Sequence, residues 1–221
     1  GFKMKRFGFI ILTTLLIVSC FSCQKVEKAA EYSFITDAES SESESETDEN
    51  LLKSNDFEYR IDGSSVTILG YSGESENIVI PETIDNMTVQ RIGLFAFESC
   101  STIKTVQLPE TITLIGEGAF MNCENLTEIN FPESLEGIDK GAFAGCTSLS
   151  GDIVIPNTVK YIRDEAFTGC EKIGTITLLN PDMVYENWGL EDLPDVTLKA
   201  VSGSAVEEWA AAMGKFIALE G

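Results

Sequence analysis

Histidine is absent from all 221 residues of the sequence. Its absence excludes Ser-His-Asp and Cys-His catalysis, histidine general bases and histidine metal ligands. Positive charge is also scarce, because 15 Lys and Arg stand against 36 Asp and Glu and the formal net charge is -21. Such a surface repels the phosphates of nucleic acids and anionic membranes. We therefore expect a protein that is not an enzyme, has no metal or other cofactor and has no nucleic-acid partner.

Long apolar runs are missing except near the start of the chain. A basic stretch at residues 3–6 precedes an almost wholly apolar run over residues 7–18. That run is too short for a comfortable membrane span, and with its basic flank it predicts a secretory signal peptide over residues 1–19.

The end of the apolar run, Ile-Val-Ser-Cys at residues 17–20, resembles a bacterial lipoprotein signal. The resemblance implies that Cys20 is lipidated and becomes the new N-terminus, while Cys23 fits the pattern less well. The protein is then expected on the extracellular face of the cell envelope, held to the membrane by its lipid. An ordinary signal peptide, and hence a secreted protein, is the alternative.

A polar segment over residues 20–56 follows the signal. Its middle, residues 37–50, consists largely of Ser, Glu and Asp and offers almost nothing to bury. Like charges keep such a chain extended and solvated. We predict a disordered linker that lifts a domain away from the membrane; weak cation chelation is the alternative.

The rest of the chain is organised by a repeat. Four units share Ala-Phe-x-x-Cys, with the cysteines spaced by 23, 23 and 24 residues. A phrase repeated at this period is typical of architecture rather than of a catalytic motif. The shared positions are Ala96, Phe97 and Cys100; Ala119, Phe120 and Cys123; Ala142, Phe143 and Cys146; and Ala166, Phe167 and Cys170.

Each unit also contains an alternating segment that predicts a β-strand. In residues 103–109, Val106 and Leu108 alternate with Thr105 and Gln107, so one strand face is buried and a proline ends the strand. No unit can bury its apolar face alone, and stacked units bury a continuous column of Phe, Cys, Leu and Ile. The period therefore predicts a solenoid with parallel strands.

The repeat can be compared with a known family. The pattern Cys-x-x-Leu-x-x-Ile-x-Leu-Pro-x-x-Ile-x-x-Ile-Gly-x-x-Ala-Phe-x-x-Cys, over roughly residues 76–180, resembles the BspA-like leucine-rich repeats of bacterial surface proteins. The resemblance implies a leucine-rich-repeat solenoid without catalytic residues. It also implies a role in adhesion, through binding to extracellular matrix proteins or other cell-surface proteins.

The flanks of the repeats predict caps. Residues 57–71 alternate on both sides of Asp62-Gly63, which indicates a β-hairpin within an N-cap at 57–75. Within a C-cap at 181–221, a strand at 196–200 and a helix at 205–213 precede a final strand at 215–219. Ser204 and Glu207 form the capping box predicted for that helix. The fold class is therefore β-rich α/β, a solenoid of period 23 with an N-terminal hairpin and a C-terminal strand-helix-strand unit.

The four repeat cysteines and phenylalanines are expected to form a buried ladder. An extracellular chain with an even number of cysteines often forms disulfides, but one cysteine per turn at one repeat position favours buried free thiols. A bridge between neighbouring turns and a metal site are the alternatives that we keep open.

The outward strand positions are the candidate ligand-binding surface, because solenoids commonly bind on their concave side. This face lacks Trp, Tyr and Arg, and a merely solvated sheet is the alternative. Glu128 and Asp152 would lie about 5 Å apart on adjacent strands, but without a cleft we expect no glycosidase pair. The candidates are Thr105, Gln107, Glu128, Asn130, Asp152, Val154, Thr175 and Thr177, with Asn77 and Val79 on the preceding strand.

One aromatic residue outside the repeats carries two interpretations. Trp188 lies between the last repeat and the C-cap. It either packs beneath a loop or forms an exposed binding patch.

The resulting hypothesis for the whole protein is a monomeric, surface-anchored protein-binding or adhesion module. A structural component of the envelope is the first alternative, and a carbohydrate-binding module is the second.

Overall fold

The computed structural model describes residues 51–193 and 195–219. The predicted signal peptide, Cys20, Cys23 and most of the predicted linker lie outside these residues. The strands are β1 (Leu52–Ser54), β2 (Phe57–Asp62), β3 (Ser65–Tyr71), β4 (Asn77–Val79), β5 (Thr83–Ile84), β6 (Met87–Ile92), β7 (Thr105–Gln107), β8 (Leu114–Ile115), β9 (Glu128–Ile129), β10 (Gly137–Ile138), β11 (Ser150–Ile155), β12 (Tyr161–Ile162), β13 (Lys172–Leu178), β14 (Val184–Tyr185), β15 (Thr197–Ala200) and β16 (Phe216–Ala218), with helix α1 (Ala205–Ala212) between the last two.

The chain winds into a solenoid, and each central turn contributes one strand to each of two sides. On one side, β1-β2-β3-β6-β8-β10-β12-β14 form a long sheet, with β5 paired to β6. The other side holds two shorter sheets, β4-β7-β9 and β11-β13-β15-β16. Pairing between successive turns is parallel. The predicted parallel solenoid is confirmed, with one helix near its C-terminal end.

The long sheet contains short strands that the sequence analysis did not predict. β8, β10, β12 and β14 are two residues each, one per turn. Two residues are too few to produce a visible alternation, so the signal used for the longer strands is absent here. β8, β10 and β12 place Ile115, Ile138 and Ile162 in the core without exposure, in line with Ile92 of β6.

The core is a column of stacked rings along the solenoid axis. The Phe97–Phe120, Phe120–Phe143 and Phe143–Phe167 centroids lie 5.0, 5.5 and 5.4 Å apart, with interplanar angles of 11°, 3° and 8°. The Phe97 backbone N–H donates to the carbonyl of Ala119 on the next turn at 2.8 Å, and later turns repeat this bond. Aromatic stacking and backbone hydrogen bonds therefore fix the same register.

The N-terminal cap is larger than predicted. β2 and β3 form the expected antiparallel hairpin around Gly63. β1 adds a third strand from within the segment that we predicted as linker, so the folded part begins before residue 57. A second hairpin joins β5 to β6 through Asp85 and Asn86, whose φ values are 50° and 61°. Two consecutive left-handed residues are the requirement of a type I′ turn.

The C-terminal cap follows the prediction except at the helix start. β15 and β16 pair in parallel on either side of α1, and Gly214 follows the helix with φ of 69°. The Ser204 side chain makes no capping bond, and its buried Oγ has no partner among the described residues. Glu207 instead accepts a hydrogen bond from the N–H of Gly203. The predicted capping box is therefore wrong in its partners.

The cysteine ladder has two kinds of member. Cys123, Cys146 and Cys170 are free and buried, and each thiol donates to a phenylalanine carbonyl on the preceding turn at 3.0 to 3.2 Å. Burial raises the pKa of Cys123 and of Cys170 to about 12, and raises that of Cys146 as well. Cys100 is disulfide-bonded, so the prediction of a free thiol is wrong at this turn.

No helix in residues 51–193 and 195–219 combines the length and the apolar character that crossing a membrane requires.

Candidate functional site

The surface predicted from strand alternation is the outer side of the two shorter sheets, here named the short-sheet face. Its strands bury Ile78, Val106, Ile129, Ile153 and Ile176 between outward residues, as the alternation predicts. The outward side chains are exposed or half-exposed: Asn77, Val79, Thr105, Gln107, Glu128, Asn130, Asp152, Val154, Thr175 and Thr177. None of them lines either of the two depressions described below.

Asn130 has a structural role that alternation could not reveal. Its side-chain Oδ1 accepts from the Leu108 N–H at 2.6 Å, and its Nδ2 donates to the Leu108 carbonyl at 2.9 Å. β9 ends at Ile129, so no strand backbone bonds to Leu108 at this point. The side-chain amide of Asn130 makes the hydrogen bonds to the preceding turn instead. Both polar atoms of this candidate are therefore engaged within the fold.

The predicted pairing of Glu128 with Asp152 is not reproduced. β9 and β11 belong to different sheets, and the register of β11 shifts between Gly151 and Asp152. Gly151 has φ of 87°, which accommodates the extra residue of this repeat. Glu128 and Asp152 therefore lie on strands that are not paired with each other.

The opposite side of the solenoid presents residues that the sequence analysis missed. We name the outer side of the long sheet the long-sheet face. Each turn contributes one residue to it, the residue immediately before the inward-facing core residue of the strand. Register aligns Arg91 with Leu114, Leu114 with Gly137, Gly137 with Tyr161 and Tyr161 with Val184. These residues could have been found in the sequence from their spacings of 23, 23, 24 and 23 residues, which match the repeat period. Arg and Tyr side chains are typical anchors of protein interfaces.

Tyr161 is the fourth of the five residues in this row. Its ring covers Gly137, where an added Cβ would clash with it. The Arg163 guanidinium lies 4.9 Å from the ring centroid and pairs with Asp139 at 3.2 Å and Glu186 at 3.3 Å. Burial, with a smaller contribution from the negative Asp139, raises the pKa of Tyr161 above its ordinary value. The phenol therefore remains a hydrogen-bond donor at neutral pH.

A depression of about 300 Å³ lies on the N-terminal part of this face. Its walls include Arg60, Arg91, Leu94 and Leu114. The hydrogen bond from Arg60, followed by that from Thr67, holds the pKa of Asp62 below its ordinary value. The depression thus combines charged and apolar walls.

A second depression, of about 560 Å³, lies along one flank beside the 2.7 Å ion pair between Lys160 and Glu136. Its remaining walls are Thr113, Ser134, Asn157, Thr158 and Asn180. This lining contains no aromatic ring on which a sugar could stack. Across residues 51–193 and 195–219, no group of three or more Cys, Asp or Glu is arranged to hold a metal ion.

Trp188 packs inside the fold. It is fully buried, its Nε1 donates to the Ile162 carbonyl at 3.0 Å, and its ring meets Trp209 edge-on at 5.1 Å. The Phe167 N–H donates to the Trp188 carbonyl at 3.0 Å, as other core phenylalanines do to the next turn. The exposed-patch interpretation is wrong, and Trp188 lies at the C-terminal end of the phenylalanine column.

The repeated turn can now be compared with known families. A model described as "BspA type Leucine rich repeat region" matches residues 67–186 in six copies, just over half of the chain. The chain belongs to the BspA-type leucine-rich-repeat family. The six copies in this match correct the prediction of four repeat units. The outer copies of this BspA-type array lack Ala-Phe-x-x-Cys, and Tyr71 takes the ring position next to Phe97, at 5.9 Å.

Solved structures of bacterial leucine-rich-repeat proteins share the fold. The T. pallidum leucine rich repeat protein is 26% identical, with a TM-score of 0.62 over 67% of this chain and 71% of that chain. A leucine rich cell surface protein of Faecalibacterium prausnitzii is 25% identical, with a TM-score of 0.57 over 68% and 44%. A leucine-rich repeat protein of Bacteroides ovatus is 29% identical, with a TM-score of 0.56 over 62% and 37%. The BspA-type chain thus spans less than half the length of the last two. No curated protein matches it significantly.

Proposed function

We propose that this BspA-type protein is a non-catalytic module that binds a protein ligand at the extracellular face of a bacterial cell envelope and acts in adhesion. The cell-surface description of the F. prausnitzii relative supports this location. The lipoprotein-like signal that ends at Cys20 supports attachment through a lipid. The candidate ligands are extracellular matrix proteins and proteins of other cell surfaces.

The observation that carries the proposal is the row of residues on the long-sheet face. Arg91 and Val184 are exposed, with Val184 at 63%, while Tyr161 and Leu114 are half-buried. They lie on a rigid array whose core residues are fixed from turn to turn, so binding costs little ordering of the protein. The row offers an Arg and a Tyr, which the short-sheet face lacks.

The test measures binding of the full chain to immobilised fibronectin, laminin and mucin, with an isolated bacterial envelope fraction as a fourth surface. One variant, Tyr161→Ser with Val184→Ser, removes two anchors from the long-sheet face. The matched variant, Glu128→Lys with Asp152→Lys, changes the short-sheet face. Circular dichroism confirms that each variant is folded.

Saturable binding to a matrix protein, weakened by the first variant and retained by the second, is the expected result. Binding weakened only by the second variant would move recognition to the short-sheet face. Binding to the envelope fraction alone would replace adhesion with a structural role in the envelope. Absence of binding to all four surfaces would refute the proposal.

A further inference from the structure

Two exposed apolar residues interrupt the polar turns beside the long-sheet face. Leu94 and Phe95 are 58% and 40% exposed. The Phe95 N–H donates to the Glu117 carbonyl at 3.0 Å, and Gly118 and Gly141 each make the same bond to the next turn at 2.9 Å. Phe95 thus occupies the repeat position of these glycines. Leu94 occupies the position that is Glu, Lys and Asp in the next three turns.

The backbone makes phenylalanine a costly choice at this position. Its φ is 51°, in the left-handed region, while Gly118, Gly141 and Glu165 at the same repeat position adopt 57°, 60° and 59°. A side chain is disfavoured there relative to glycine, and strain retained at an exposed residue points to a use of that residue. The ring rests against Gly118, where a Cβ would clash with it. Its position is therefore fixed before any partner binds.

Arg91 places a positive charge next to this apolar pair. It is exposed, and it shares the depression of about 300 Å³ with Leu94 and Leu114. The acidic Glu117 and Asp139 line the same depression, so only one further carboxylate, placed at Arg91, is favoured there. Among the ion pairs of the described residues, Arg60 pairs with Asp62 and Arg163 with Asp139 and Glu186, but none includes Arg91. Arg91 interacts with Asp62 at longer range and contributes to lowering the pKa of that carboxyl. With no ion pair of its own, its guanidinium can still pair with a carboxylate from outside.

We propose that Arg91, Leu94, Phe95 and Leu114 form the N-terminal part of the recognition site on the long-sheet face, and that this part binds an extended segment of a partner protein carrying one carboxylate beside a large apolar side chain. The carboxylate pairs with Arg91, and the apolar side chain covers Leu94 and Phe95. This inference rests on the proposed function and names its site and its partner chemistry. Because the chain has a net charge of -21, it repels segments rich in carboxylates, so the segment is otherwise neutral or basic.

The test uses a displayed library of random eight-residue peptides, selected on the immobilised full chain. Enriched peptides are synthesised, and their Kd values are measured by fluorescence anisotropy. We expect an Asp or Glu next to an aromatic or large aliphatic residue. Arg91→Glu and Phe95→Gly should each weaken binding at least about tenfold. Lys172→Glu, the same charge change at an exposed residue of the short-sheet face, should leave Kd unchanged.

Phe95→Gly separates recognition from folding. Glycine suits the left-handed backbone, so the thermal midpoint should not fall while peptide binding is lost. Enriched peptides without the acidic and apolar pair, equal binding by Arg91→Glu, or no enrichment would each overturn the inference. Matrix-protein binding that both variants retain would leave the proposed function intact and refute this site. Peptide binding at the site without any matrix-protein binding would refute adhesion alone.

Discussion

The buried thiols should make the protein sensitive to alkaline pH. Burial raises the pKa of Cys123 and Cys170 to about 12, from an ordinary value of 9.0, and raises that of Cys146 in the same direction. Each thiol then contributes stability that is fully present below about pH 9 and is lost as the pH rises towards 12. The loss occurs because ionisation of the thiols lowers the free energy of the unfolded chain, while the folded chain keeps the same thiols protonated.

The size of this effect follows from the two pKa values. At pH 10, ionisation of a thiol with pKa 9.0 stabilises the unfolded chain by about 1.4 kcal/mol, while the folded thiol remains almost fully protonated. Cys123, Cys146 and Cys170 together should lower the free energy of unfolding by about 4 kcal/mol between pH 7 and pH 10. That is a large part of the roughly 5–15 kcal/mol of a typical domain.

The assay is equilibrium urea unfolding of the full chain at pH 7.5 and pH 10, followed by tryptophan fluorescence. Cys123 and Cys170 contribute to the same loss, so the informative comparison is with Cys146→Ala. Between the two pH values, the free energy of unfolding of this variant should fall by about 1.4 kcal/mol less than that of the wild type. An equal loss in both proteins would show that the Cys146 thiol is not protected by burial, and would refute the reasoning.

Three further changes test the packing by the same unfolding assay at neutral pH. Phe143→Ala removes the middle ring of the stack and should cost about 3–5 kcal/mol; a cost under about 1 kcal/mol would contradict a close-packed column. Trp188→Phe removes the N–H that pairs with a buried carbonyl and should cost about 1–3 kcal/mol, with unchanged unfolding as the contrary result. Asn130→Ala removes both bonds to Leu108 and should cost about 1–2 kcal/mol, whereas a loss of ligand binding without a loss of stability would assign this side chain to recognition.

The solenoid could be predicted because its core uses the same chemistry at every turn. Phe97, Phe120, Phe143 and Phe167 recur at nearly constant spacing, and one turn's residues therefore predict the next. The prediction failed where a turn departs from this chemistry. Tyr71 continues the stack of rings next to Phe97 although its turn lacks the Ala-Phe motif. The motif therefore predicted only four repeat units.

The candidate site was harder to predict because recognition depends on what differs between turns. Arg91, Leu114, Gly137 and Tyr161 share one repeat position and have unrelated side chains. Alignment on constant positions therefore passes over them. Alternation also failed at Asn130, where the strand has ended and a side-chain amide continues the hydrogen bonding.

The stacked turns also have a consequence for how such a molecule changes in length. The bond from Thr113 to Gln90, the thiol bond from Cys146 to Phe120 and the ion pair from Arg163 to Asp139 span 23, 26 and 24 residues. Each joins a turn to its immediate neighbour, so a turn responds only to the turns on either side of it. A tandem duplication or deletion of one whole turn in the gene would preserve every type of contact. Length can therefore vary between descendants independently of fold, and each added turn would present a new, freely variable set of outward side chains.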